Sequence, residues 1–526
     1  MRHLIAALML VAVSAPPIAA QAPGRTYDNP IIWADYSDPD VIRVGDRYYM
    51  VSSSFHLSPG IPVLESADLV TWRIAGHVLP RLSFAPGYDM PGPHTLDDTI
   101  SKPVGGTRYA GGAWAPSIRH HDGRFYVYVA TPDEGIFMMS ATDPAGPWTA
   151  PVTVIDEPRL EDPCPFWDDD GSAWLIHGRV GAGPLILHRI TPDGTRVLDD
   201  GITVAEDKVR LPTLEGPKLY KRDGWYYIFA PIGGVSTGPQ AVGRARSITG
   251  PYEWRDVLLP TDAIKGPHQG GYVETPDGAG WFVHFNSTGA FGRITHLQPV
   301  RWQDGWPVMG DAPAGATGGT PVARHAAPAV APDAPRFALQ ASDEFADARL
   351  GLQWQWNHNP DNSRWSLAQR PGFLRLAAGT ADHLVTARNT LTQMLTGPRM
   401  IATARIELWR MAEGQRAGLT MFGVRPSWIG AVRDGGVTRL VFASEGRETA
   451  GPILPDSVLL RVDVGPDQRA HYSWSTDGRD FAPFGEVLEL SPFSWWRGSR
   501  PGLFTFTRAA EPAGEIDVDW FRVEPR

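Results

Sequence analysis

A short pattern recurs five times along this sequence, and few folds accommodate such a repeat. Each copy opens with a polar residue beside proline or glycine. A short strand-like run follows, then a Gly/Asp turn, then an aromatic run. The copies are residues 38–51, 115–128, 162–175, 215–228 and 267–282. Asp and Gly between apolar runs predict a hairpin. The turn glycines Gly45, Gly123, Gly171, Gly224 and Gly278 are spaced by 78, 48, 53 and 54 residues. All-strand repeats of about 40–50 residues predict a propeller with one four-stranded sheet per blade. Outer hairpins recur at Ser66–Trp72, Ser140–Trp148 and Ser247–Tyr252. Five blades fill residues 28–310, and the long first interval predicts an insertion at Ser83–Thr107.

Residues 311–337 are rich in Ala, Pro and Gly and lack hydrophobic periodicity. They read as a linker, or as chain lying over a surface. Alternation returns at Phe373–Leu376, Ala402–Leu408, Ser457–Val462 and Ile516–Phe521, which predicts a β-sandwich over residues 338–526. Composition agrees with this all-β reading. The 526 residues include 56 Gly and 49 Pro, and so turn-rich a chain disfavours long helices. The net charge of −10 argues against a nucleic-acid partner. Twenty tryptophans can serve a core, and their faces can also stack on sugar rings.

The N-terminus reads as an export signal. Arg2 and His3 precede an apolar run, Leu4–Ala15, and small residues follow up to Ala20. Removal of residues 1–20 is expected, giving a periplasmic or secreted protein with no membrane attachment afterwards. No cysteine follows the signal to carry a lipid, and no other segment has 18 consecutive apolar residues. The single cysteine, Cys164, excludes an internal disulfide.

Propeller geometry brings the starts of the innermost strands together around the axis. The residues opening the five repeats therefore face one hole: Asp38, the Trp114-Ala115 pair, Asp162, Glu215 and His268. Like charges at close range split carboxyl pKa values. Glycoside hydrolysis needs such a split: one carboxyl donates to the leaving oxygen, and the other activates water or attacks carbon.

Several motifs in this register resemble glycoside hydrolase family 43, whose members act on xylosides and arabinofuranosides. They are Ser37-Asp38-Pro39-Asp40, Gly112–Pro116, Glu161-Asp162-Pro163, Leu214–Pro217, Gly266–Gly271, Gly292-Arg293-Ile294 and Leu297–Val300. Gly351–Pro360 and Arg370–Leu376 resemble the concanavalin A-like domain of the two-domain xylosidases. The resemblance spans nearly the whole mature chain, in order. It implies Asp38 as general base, Glu215 as general acid and Asp162 as the residue that orients the acid and modulates its pKa. It implies an inverting reaction on an oligosaccharide or polysaccharide, with no cofactor required. His268 matches the family's axial histidine over a central water or calcium. Arg293 matches a sugar-contacting arginine near the base, and Trp114 and Phe55 match walls of the terminal-sugar subsite. Cys164 stands where small polar residues are more usual.

Plainer readings compete. Asp before Pro is a common turn residue, and Asp40 fits that role. Glu161 competes with Asp162, but Asp162 aligns with Asp38 before proline. In the C-terminal module Asp343, Glu344, Asp517 and Asp519 could gather a structural Ca²⁺ or be edge charges. That module either binds polysaccharide or braces the propeller, and the resemblance favours a brace whose loop narrows the active-site mouth. Two rival functions are a retaining invertase-like fructosidase and a non-catalytic sugar-binding propeller. The first carries an Asn-Asp-Pro-Asn-Gly type motif that residues 37–41 lack. The second would be supported by a missing carboxylate, and all three are present.

Overall fold

The computed structural model describes residues 24–92, 106–331, 333–491 and 495–525. The expected export signal lies outside them, as do residues 93–105 within the expected insertion. Five four-stranded antiparallel sheets form the N-terminal part. Their innermost strands are Asp40–Val44, Trp114–His121, Leu160–Trp167, Lys218–Arg222 and His268–Glu274. In each blade the next strand folds back across the Gly/Asp turn read from the sequence, as where Arg222 faces Trp225 across Asp223-Gly224. The N-terminal chain ties onto blade 5. Ile32 bridges Thr295, and the Tyr27 hydroxyl and Asn29 amide both donate to the Leu297 carbonyl.

A local backbone feature repeats with the blades. Asp38, Ala115, Asp162 and Gly216, each before a proline, have φ of 52°, 33°, 57° and 60°, and Gln269 before Gly270 has 41°. A left-handed non-glycine residue costs about 1–2 kcal/mol and persists only where packing enforces it. Here it interrupts the ladder. Register shifts fall between Trp114 and Ser117, Glu161 and Cys164, and His268 and Gly270. Such bulges re-aim side chains, and these lie at the axial end of each inner strand.

Deeper along the axis, a polar network joins the blades. Asp40 accepts from Arg119 Nη1 at 2.6 Å and from the Ile118 N–H at 2.9 Å. Arg119 Nη2 donates to Cys164 Sγ at 2.9 Å, and Sγ also accepts from the Leu219 N–H. Cys164 is thus a buried acceptor between blades, and Asp40 is a structural ion-pair partner. Beyond them the far mouth opens into a cavity of about 580 Å³ lined by the ends of the inner strands.

The C-terminal part is a sandwich of a nine-stranded and an eight-stranded sheet around one apolar core. The nine-stranded sheet takes its last strand from the propeller: Leu57–Ser58 pairs with Gln355–Asn357. Further bonds cross the boundary. Tyr109 donates to Val385, Asn357 donates to Tyr109, and the Arg108 N–H donates to His358. The connecting chain lies over the propeller. Arg324–Ala326 pairs with Thr26–Asp28, and the Phe337 ring sits 4.4 Å from the Arg73 guanidinium.

Of the two readings of the C-terminal acids, the calcium cage does not assemble. Asp343 caps the Phe345 N–H and accepts from Trp354, Glu344 pairs with Arg522, and Asp519 lies 3.6 Å from Arg405. Asp517 is buried between Arg370 and Arg375. Their oxygens are used by guanidinium and N–H donors, so they do not converge on a cation.

Candidate active site

Asp38, Asp162, Glu215 and His268 all stand at the axial starts of their blades. Around Asp38 the neighbours are donors. Arg293 Nη1 lies 2.9 Å from Oδ1 and 3.1 Å from Oδ2, and Ser53 Oγ donates to Oδ2 at 2.6 Å. Ser53 in turn accepts from the Ala115 N–H at 2.7 Å, which ties blade 2 to the Asp38 carboxylate. Both ion-pair side chains are nearly buried, at 6 % and 7 % exposure. Arg293 is placed by its own backbone, whose N–H donates to Asp35. Gly292 makes this approach possible: its φ is +76°, and a Cβ there would stand 2.3 Å from the Asp35 carboxyl carbon.

Across the axis the neighbours are acids. One carboxylate oxygen from each of Glu161, Asp162 and Glu215 lies within 4.8 Å of the others. Asp162 accepts the Gly216 N–H at 2.7 Å. Burial, then the charges of Glu215 and Asp38, push Asp162 up to about 7 despite the opposing Lys218. Glu161 rises further, to about 9, through burial and the charges of Asp162 and Glu215. Glu215 moves the other way. Burial disfavours its charge, but His268 and then Arg293 outweigh that and hold it below the ordinary glutamate value. His268 Nε2 lies 2.9 Å from Glu215 Oε1, though the contact is not aligned as a hydrogen bond. Glu215 is 22 % exposed and so reaches the open mouth, whereas Asp162 and His268 do not.

Lys218 is fully buried beneath this group. Its Nζ donates to Ser117 Oγ at 3.0 Å, and that hydroxyl donates to the Pro163 carbonyl.

Trp114 stands at the rim, partly exposed, its indole N–H bonded to the Ala110 carbonyl. Its ring meets Trp496 of the sandwich edge-on, with centroids 6.0 Å apart. Phe55 lies beside it through a two-way backbone bridge to Ala113, but its side chain is only 3 % exposed. The sandwich segment Trp495–Arg500 presses onto this side of the propeller. Gly498 N–H donates to Asp35, Ser499 N–H donates to the Ala290 carbonyl, and Arg497 Nη2 lies 2.9 Å from His56 Nε2. Burial drives Arg497 down to about 10 and Arg500 to about 9.

His268 by itself does not make a calcium site. A hard cation takes six to eight oxygens. Here an imidazole nitrogen faces the axis with Glu215 beside it, and the second nitrogen, Nδ1, is buried without a partner.

Residues that carried no repeat signal complete the site. Ser53 lies within a run of three serines, with no spacing that points to Asp38. Asp35 and Arg497 come from separate parts of the chain, brought together only by the interface. Glu161 was visible as the neighbour of Asp162, yet its position against Glu215 depends on the kink at Asp162.

A propeller mouth with one donor-held carboxylate facing a crowded carboxyl group defines a glycosidase type of site, because hydrolysis of an acetal needs two carboxyls in unlike settings. The family model for glycosyl hydrolases family 43 matches residues 27–307, and the model for the beta xylosidase C-terminal concanavalin A-like domain matches residues 342–524. The chain belongs to glycoside hydrolase family 43. A protein of Xylanibacter ruminicola is 43 % identical over 490 residues, covering 92 % of this chain and 87 % of its own. A beta-xylosidase of Formosa agariphila is 34 % identical, covering 94 % of this chain and 90 % of its own. The structure of an engineered family 43 enzyme with endo-xylanase and exo-arabinofuranosidase activity superposes with a TM-score of 0.83 at 28 % identity, over 95 % of this chain and 100 % of that one.

Proposed function

We propose that this enzyme is an inverting exo-glycosidase that removes terminal β-D-xylosyl or α-L-arabinofuranosyl units from hemicellulose fragments. The observation that carries this reading is the unlike setting of Asp38 and Glu215 at one propeller mouth. The relatives agree in substrate class, one being a beta-xylosidase and another having exo-arabinofuranosidase activity. Xylopyranose and arabinofuranose present similar hydroxyl patterns, so one pocket can accept both.

In this reading Asp38 takes the proton of the attacking water while Glu215 protonates the leaving oxygen. Arg293 and Ser53 orient the Asp38 carboxylate and leave its remaining lone pairs for water. In the resting site His268 favours ionised Glu215. An aglycone oxygen entering beside Glu215 excludes water and raises the cost of that charge, so Glu215 takes up its proton as the complex forms. Asp162 contributes negative charge within reach of Glu215, which favours the same uptake. Trp114, and Phe55 behind it, wall the terminal sugar. The contact of Trp496 with Trp114 builds up one wall of the mouth, which suits chain ends rather than mid-chain cleavage.

No cofactor is invoked. Export to the periplasm or medium is part of the proposal, in keeping with residues 1–20 and a polymeric substrate. The test is hydrolysis of 4-nitrophenyl β-D-xyloside and α-L-arabinofuranoside, with the first-formed anomer read by NMR. Release of α-xylose from the β-xyloside is expected. Release of β-xylose would overturn the inverting reading, and absence of turnover on both points to one of the two rivals, which hydrolysis of sucrose then tells apart.

A further inference from the structure

The reaction described above uses Asp38, Asp162 and Glu215 and leaves Glu161 without a task. Yet Glu161 is only 6 % exposed and belongs to the same carboxyl cluster. An oxygen of Glu161 falls within 4.8 Å of both Asp162 and Glu215, and its Oε1 is buried with no hydrogen-bond partner. The facing ladder residue is Gly178, where a Cβ would come within 3.3 Å of the Glu161 Cγ. Glycine there makes room for the side chain.

Asp162 follows Glu161 on its own strand, and Glu215 faces it from the loop before blade 4. The backbone of Ala182 and the exposed Arg159 favour its charge, but Arg159 points away to donate to the Val180 carbonyl. His177, on the paired strand, is held by the Gly178 carbonyl and His188. The buried partners serve the other acids: Lys218 acts on Asp162, Arg293 acts on Asp38 and Glu215, and the His268 ring lies against Glu215. Two buried carboxylates beside a partly exposed third at this range disfavour three charges at once, so a proton is held among them. The proton belongs on the one without a buried cation.

We infer that Glu161 works as a neutral carboxylic acid whose O–H donates into the Asp162–Glu215 pair, a positioning residue that sets where charge rests between the two. The inference rests on the glycosidase reading above. Burial and its acidic neighbours raise the Glu161 pKa in the same direction. The proton stays on Glu161 throughout. When Glu215 gives its own proton to the leaving oxygen, the Glu161 O–H stabilises the carboxylate that forms.

Three variants test this on the full-length enzyme: Glu161→Gln, Glu161→Leu and Glu215→Gln. Glutamine is neutral and still donates, so Glu161→Gln should keep kcat/KM within about 3-fold and leave the alkaline limb of the pH–rate profile unmoved. Leucine cannot donate, so Glu161→Leu should lose about 10- to 100-fold in kcat and displace that limb. Difference infrared spectra near neutral pH should contain a protonated-carboxyl C=O band that Glu161→Gln removes. This last readout does not depend on activity or on the fold of the leucine variant. The inference is overturned if Glu161→Gln shifts the alkaline limb by a unit or more, since Glu161 would then work charged. It is equally overturned if Glu161→Leu matches the wild type in rate and profile, or if the infrared band survives in Glu161→Gln. Failure of the glycosidase reading looks different: Glu215→Gln would keep full activity on a natural oligosaccharide, with the Glu161 band untouched.

Discussion

The two sides of the axial mouth are built from opposite chemistry. On the Asp38 side the carboxylate is surrounded by donors, Arg293 and Ser53, and both are fixed by further bonds. On the Glu215 side three carboxyls crowd together, with His268 and Lys218 as partial relief. The scaffolding differs as well. The Asp38 side leans on the sandwich, because Asp35 holds both the Arg293 N–H and the Gly498 N–H. The partners described for the Glu215 side all come from the propeller. The difference teaches how one ring of repeats makes two unlike carboxyls: the blades supply like positions, and the neighbours make the settings differ.

The largest way to break the comparison is to remove the sandwich. Truncation after Gly310 strips the strand partner of Leu57–Ser58 and the bonds that reach Asp35 and Ala290. We expect no soluble, active propeller, because the uncovered apolar surface invites aggregation. Soluble expression with full turnover on aryl glycosides would instead make residues 338–526 an independent binding module.

Next come the two carboxyls themselves. Asp38→Asn and Glu215→Gln should each cost roughly 10²–10⁴-fold in kcat/KM on xylo-oligosaccharides. The losses should part on an activated aryl glycoside, where leaving-group protonation matters less and Glu215→Gln should recover more than Asp38→Asn. Equal losses on both substrates would erase the proposed division of labour.

A third test sharpens the Asp38 side through stability. Arg293→Met leaves a buried carboxylate without its cation, a change worth about 3–5 kcal/mol in comparable buried pairs. Chemical denaturation of Arg293→Met and of Arg293→Met/Asp38→Asn measures it. The double variant should recover part of the loss, and no recovery would mean that Asp38 is not the group left unpaired.

The smallest effect concerns the acidic side and pH. Asp162 sits near 4 in an unfolded chain and about 7 in the folded one. The folded state therefore binds more protons between these values, so this group's contribution to stability falls as pH rises from about 4 through about 7. Asp162→Asn removes that penalty. Its melting temperature relative to wild type should rise across this window and level off above it. A difference that is flat with pH, or that falls, would refute the raised Asp162 value.

Much of this architecture was legible without coordinates. The turn glycines at near-regular spacing set five blades, because a Gly/Asp turn between apolar runs has few folded outcomes. The same register placed Asp38, Asp162, Glu215 and His268 at blade starts, since a propeller turns equal positions in sequence into neighbours in space. The calcium cage did not follow, because proximity of acidic residues along strands says nothing of the arginines that come from other strands to meet them.

What the sequence determined by itself is therefore whatever depends on period and local backbone: blade number, hairpin turns, the residues entering the axis and the all-β sandwich behind them. The tertiary structure alone decided what depends on unlike segments meeting. It joined Ser53 and Arg293 to Asp38, Asp35 to Gly498, and Leu57–Ser58 to a sheet of the other domain. It also decided which carboxyls are drawn up and which is held down, because a pKa is fixed by burial and by charges within a few ångströms, and those come from distant parts of the chain.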